Sequence, residues 1–159
     1  MFLYLVQHAE AKREEDDPAR PLSDKGFRDI KKTAMFASGL DLRVDMVFHS
    51  AKLRGRQTAE ILAETLKPTK GITEVDGLSP MDDPAIWAER LISMPNNIVL
   101  TGHLPHLGKL AALLLCGDAN KNVISFRMAG FVCLKKEENG SWSLQWMITP
   151  EIVPEGLKV

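Results

Sequence analysis

The chain predicts an α/β fold: a single three-layer domain with a mostly parallel sheet, helices on both faces, and an antiparallel hairpin at the C-terminal edge. Three observations carry this reading. Short apolar runs that look like buried strands alternate with longer stretches of helical spacing as far as about residue 115. After residue 122 the helical spacing disappears and three strand-like runs follow, the last two joined by a turn signal. The length of 159 residues with 45% hydrophobic content suits one well-packed core and is short for two, so residues 1–159 read as one domain without repeats, low-complexity stretches or linkers.

Each element has its own justification. Residues 2–6, Phe-Leu-Tyr-Leu-Val, read as the first strand, and a charged segment from Lys12 to Arg20 follows it. Ser23 is placed to cap a helix in which Phe27, Ile30, Ala34 and Met35 recur at helical spacing, with Gly39 as its stop. Met46-Val47-Phe48 is a second strand ending at His49-Ser50. Leu53 to Leu66 is a second helix, ended by Pro68. A strand over Ile72–Val75, a loop from Gly77 to Pro84 and a helix over Ala85–Met94 come next. Ile98–Leu100 is the fourth strand, followed by a helix over Leu107–Leu115. Val123–Phe126, Phe131–Lys135 and Trp142–Met147 are expected as antiparallel strands, with Asn139-Gly140 forming a hairpin turn. Trp87, Trp142 and Trp146 are expected to be packing residues.

Composition narrows the function classes. Twenty basic and 21 acidic residues leave a formal charge of −1, which argues against a nucleic-acid surface. No run approaches the ~20 apolar residues of a membrane span, and the apolar run at 2–6 is too short for a signal sequence. Cys116 and Cys133 both lie in apolar contexts and read as buried thiols. The expectation is a cytoplasmic, monomeric protein without a membrane or nucleic-acid partner.

The chemistry concentrates at strand ends. His8 follows the first strand and His103 follows the fourth, within Thr101-Gly102-His103, so both imidazoles sit where strands give way to loops, the edge at which open α/β sheets bind ligands. Between them, Ser50-Ala51-Lys52-Leu53-Arg54-Gly55-Arg56 forms a strand-to-helix junction. A guanidinium offers paired donors to two phosphate oxygens and stays charged. Arg54 and Arg56 are two apart, so on a helix only one of them faces a common site. The helix N-terminus adds backbone donors for an anion. His49 reads as a structural residue or one that supports the site from behind. His106 lies three residues after His103, but no companion at ligand-like spacing supports a metal site. No cofactor is expected.

In order, Leu3-Tyr4-Leu5-Val6-Gln7-His8-Ala9, Arg20-Pro21-Leu22-Ser23-Asp24-Lys25-Gly26, Ser50–Ala59 and Thr101-Gly102-His103-Leu104-Pro105 resemble the motifs of the histidine phosphatase superfamily. The Arg-Pro-Leu segment and the small size are most similar to its short branch, the SixA-type phosphohistidine phosphatases. The resemblance implies that His8 is a nucleophile that becomes phosphorylated, that Arg54 binds the phosphoryl group, and that His103 donates to its oxygens from the opposite side. Gln7, Arg20 and Ser50 are assigned to substrate binding. The implied partner is a phosphorylated protein such as a histidine-phosphotransfer domain, and the implied enzyme needs no metal.

Two departures stand out. The family pattern has Arg-His-Gly where this chain has Gln7-His8-Ala9, which removes a cation. The site is then weaker but active, tuned to another phosphorylated group, or a binding module without catalysis. Larger members also carry a carboxylic acid that protonates the leaving group. Near Gly77 only Glu74 and Asp76 occur, with no clear counterpart. Expelling an alkoxide needs an acid, whereas a protonated imidazole leaves readily, so the missing acid favours phosphohistidine over a sugar phosphate. Glu10, Asp16 and Asp17 on the first loop are the other carboxylates that could reach the site. A phosphatase for small phosphate esters is the rival enzymatic reading.

Overall fold

The computed structural model describes residues 1–156. Six strands form one sheet: β1 (Phe2–Gln7), β2 (Met46–His49), β3 (Ile72–Glu74), β4 (Ile98–Gly102), β5 (Phe131–Lys136) and β6 (Trp142–Ile148). Their spatial order is β3-β2-β4-β1-β5-β6. The first four run parallel, β5 adds antiparallel to β1, and β6 adds antiparallel to β5. The helices are α1 (Asp24–Ser38), α2 (Leu53–Leu66), α3 (Pro84–Ile92) and α4 (His106–Cys116), with a short 3₁₀ turn at Pro150–Ile152.

The layers follow from handedness. From β1 through α1 to β2 and through α2 to β3 the chain moves toward one edge, and through α3 to β4 it turns back. Right-handed crossovers then place α1 and α2 on one face and α3 on the other. β1 shows both faces buried: Tyr4 and Val6 pack with Ile30, Ala34 and Leu62 of α1 and α2, while Leu3 and Leu5 pack with Trp87, Leu91 and Leu107 of α3 and α4. A strand covered on both sides is apolar without alternation.

Local chemistry sets the element ends. The Ser23 side chain accepts from Gly26 N–H at 3.0 Å and caps α1. Asp83 caps α3, with Pro84 opening the helix, and Gly117 ends α4 in the left-handed conformation at φ 71°. Gly140, at φ 86°, turns the hairpin between β5 and β6.

Three expectations need correction. Val123–Phe126 is not a strand: it alternates inward Ile124 and Phe126 with outward Val123 and Ser125 but joins no ladder. Its apolar period reflects packing against the α3/α4 core, and β5 already occupies the edge of β1. Met35, expected on the packed face of α1, is 47% exposed, because the core stripe runs through Ile30, Ala34 and Ala37. Cys133 is buried, but Cys116 at the end of α4 is exposed. Gly39 ends α1 as expected, with φ −72°. No helix among the described residues is long and apolar enough to cross a membrane.

Candidate active site

β2, β4 and β1 are adjacent and parallel, so their C-terminal ends open on one edge. The chain has four histidines, and all lie there: His8 after β1, His49 at the end of β2, His103 after β4 and His106 at the start of α4. The His8 and His103 rings face each other with centroids 5.0 Å apart and planes tilted by 44°.

The ring of His8 is oriented by its own loop. Its Nδ1 lies 2.7 Å from the Ala9 carbonyl, which can only accept, so Nδ1 carries the proton and Nε2 keeps its lone pair. Burial pulls the His8 pKa down to about 4, and Arg54 and Arg20 add to the shift against the opposing Ala9 hydrogen bond. The ring is therefore a neutral imidazole at physiological pH. His103 is lowered further, to about 3, by burial first and then by His8, Arg54, Lys52 and His106. Its Nε2 is 2.6 Å from the Ser50 hydroxyl, while Nδ1 is buried without a partner.

The cations around these rings are not neutralised. Among the described residues neither Arg20 nor Arg54 forms an ion pair. Arg54 Nε is buried without a hydrogen-bond acceptor, and burial together with Arg20 lowers its pKa. Arg56, two residues on, points away and pairs with Glu60 at 3.0 Å. Arg20 sits at φ 50°, a left-handed conformation that is costly for a side chain of this kind, and its Nε donates to the Lys12 carbonyl at 3.0 Å. Gln7 is nearly buried, with Oε1 lacking a donor. At the start of α2, Lys52 offers no side-chain cap, so the first-turn amides add to the donors facing this edge.

Several residues to which sequence reasoning gave no individual role hold this arrangement. The Thr58 hydroxyl donates to the Arg54 carbonyl at 2.7 Å and accepts from Ala9 N–H at 3.0 Å, tying α2 to the loop that carries His8. Gln57 Oε1 accepts from Leu22 N–H at 2.8 Å. At Gly55 a Cβ would come within 2.7 Å of Ser50 Oγ and 3.5 Å of His103 Nε2, so the helix approaches the pair only because this residue has no side chain. A glycine inside a helix costs about 1 kcal/mol relative to alanine, and that anomaly was the signal available in the sequence.

Most of the nearby carboxylates are engaged by other partners. None is among the groups that shift His8 or His103. Asp16 pairs with Arg13 at 3.1 Å and Asp17 accepts from Ala19 N–H, whereas Glu10, two residues after His8, has Oε2 buried without a hydrogen-bond partner among the described residues. Past β3, Asp76 pairs with Arg90, Asp82 accepts from Ser79 N–H and Asp83 caps α3. His49 Nδ1 lies 2.7 Å from the Ser50 carbonyl and steadies the junction.

Neutral imidazole, unpaired guanidinium, free helix amides and a strand edge together define a phosphate-handling α/β protein. The model of the histidine phosphatase superfamily (branch 1) matches residues 3–82, and the chain belongs to that superfamily. An uncharacterized protein from Picosynechococcus sp. is 34% identical over 143 residues, covering 85% of each chain. The protein histidine phosphatase SixA complexed with tungstate has a similar structure: TM-score 0.84 at 22% identity, over 94% of this chain and 97% of that one. A proposed α-ribazole-5′-P phosphatase from Escherichia coli matches with TM-score 0.78 at 15% identity, over 94% and 98% of the two chains.

Proposed function

We propose that this phosphatase removes phosphate from phosphohistidine in proteins, through a phosphohistidine intermediate on His8 and without a metal. The observation that carries the reading is the cluster of unpaired cations around two neutral imidazoles, neither of them shifted by a carboxylate. His8 Nε2 attacks phosphorus in line. The new P–N bond forms as the bond from phosphorus to the substrate imidazole breaks, and that imidazole leaves as a neutral ring if it was protonated beforehand. Water then attacks the phosphoryl group on His8, releasing inorganic phosphate and a proton and restoring the neutral ring. Arg54, Arg20, Gln7 and the α2 amides neutralise the equatorial oxygens, the main demand of phosphoryl transfer. His103, held by Ser50, donates from the opposite side once the bound dianion raises its proton affinity.

That no carboxylate acts on the His8 or His103 ring favours a leaving group that needs no acid. A phosphorylated histidine fits this requirement, and an alkyl phosphate does not. The test is incubation with a phosphohistidine protein, an aryl phosphate and an alkyl phosphate, each with and without chelator. Turnover of the phosphohistidine protein should exceed that of the alkyl phosphate by several orders of magnitude and survive the chelator. Acid-labile, base-stable phosphate should be trapped on the protein and be absent from His8→Ala. Equal turnover of a sugar phosphate, abolished by replacing Glu10, Asp16 or Asp17, would overturn the reading in favour of a small-ester phosphatase.

A further inference from the structure

A groove of about 420 Å³ begins at Leu104, the residue after His103, and runs between the start of α4 and the segment 119–126. Leu104 is 41% exposed at its mouth, and Ile124 and Phe126 are among its walls. Lys109 and Lys121 line it and no carboxylate does, although the chain as a whole is slightly acidic. Neither lysine forms an ion pair among the described residues. The chain ties the groove to the site: Leu104 follows His103, and Ala129, three residues past Phe126, donates its N–H to the Gln7 carbonyl at 3.0 Å.

The wall is itself unusual. Residues 122–126 alternate inward and outward like a strand, yet among the described residues none of their main-chain groups has a hydrogen-bond partner within the protein. An extended segment with free main-chain groups is a template for strand addition, and two unpaired lysines favour an acidic occupant. We propose that this groove docks an acidic, extended segment of the phosphorylated protein, pairing with the main chain of 122–126 and holding the phosphohistidine over His8. The proposal rests on the phosphohistidine reading for its substrate, but the docking surface can be tested apart from catalysis.

The experiment uses short synthetic peptides with one histidine, phosphorylated by phosphoramidate, flanked by acidic, neutral or basic residues. With the wild-type protein, kcat/KM should rank acidic above neutral above basic, the extremes differing by about tenfold or more. The double variant Lys109→Glu/Lys121→Glu should invert that ranking while leaving turnover of free phosphohistidine unchanged. Methylating alternate backbone nitrogens of the acidic peptide should weaken its binding, since strand pairing needs those donors. Equal kcat/KM for all three peptides, a ranking untouched by the charge reversal, or binding indifferent to backbone methylation would overturn the proposal. If no phosphohistidine substrate is turned over, yet the unphosphorylated acidic peptide binds and the double variant loses it, docking stands and the catalytic reading fails.

Discussion

At Gly55 a single missing side chain lets helix and site meet. In Gly55→Ala the new methyl would force the Ser50 hydroxyl away from its 2.6 Å contact with His103. Alanine favours the helix by up to about 1 kcal/mol, so thermal stability should change little. Affinity for tungstate and the rate on phosphohistidine should nonetheless fall by about tenfold or more. Melting curves and oxyanion titration separate the two effects, and a large stability loss with intact affinity would show that the glycine serves packing alone. Gln7 poses the complementary question. Placed beside His8 with its amide oxygen lacking a donor, it brings no charge to a site where an added guanidinium would find an anion. Charged hydrogen bonds contribute about 1.5–3 kcal/mol. Gln7→Arg should therefore tighten vanadate or tungstate binding by roughly tenfold, measured calorimetrically. Unchanged affinity would mean that Arg54 and Arg20 already saturate the oxyanion.

Between elements, the site depends on α2 gripping the loop after β1. Thr58 makes that contact through one hydroxyl, which bridges the Arg54 carbonyl and the Ala9 amide. Thr58→Val keeps the shape and removes both hydrogen bonds, leaving the buried Ala9 N–H unpaired at a cost of about 1–3 kcal/mol. Because the Ala9 carbonyl sets the tautomer of His8, phosphoryl labelling of His8 should slow in the same variant. Denaturant unfolding and the labelling rate check the two halves, and unchanged labelling would show that the loop holds its geometry without α2. The helix signature around Arg54 was readable from the sequence as a phosphate motif. That its threonine anchors the first loop was not, because the two residues lie 49 positions apart.

For the whole molecule, the two lowered histidines link folding to pH. His8 titrates at about 4 and His103 at about 3 in the folded chain, against an ordinary value of 6.5. Below about pH 6.5 the unfolded chain takes up protons that the folded chain refuses. Stability is therefore greatest above pH 6.5 and falls as pH drops toward the folded values. Each tenfold loss of proton affinity on folding corresponds to about 1.4 kcal/mol, so the destabilisation at acid pH is on the order of a few kcal/mol for the pair. Unfolding midpoints between pH 7 and 4 should show this slope, and a His8→Gln/His103→Gln variant should flatten it. A slope unchanged in that variant would assign the acid sensitivity to other groups.

The sequence by itself determined the alternation of strands and helices, the hairpin at Asn139-Gly140 and the delivery of His8 and His103 to strand ends. These depend on local periodicity and turn chemistry, which neighbouring residues carry. Tertiary structure decided the rest. It showed Arg54 rather than Arg56 at the site, and Asp16 and Asp17 engaged by other partners. It also left Val123–Phe126 without a ladder despite a strand-like pattern, and Cys116 in solvent despite an apolar run. Each outcome depends on which distant surfaces meet. The Ser50–His103 bond joins residues 53 apart, and only the pairing of β2 with β4, which sets His49 opposite Thr101, brings them within reach.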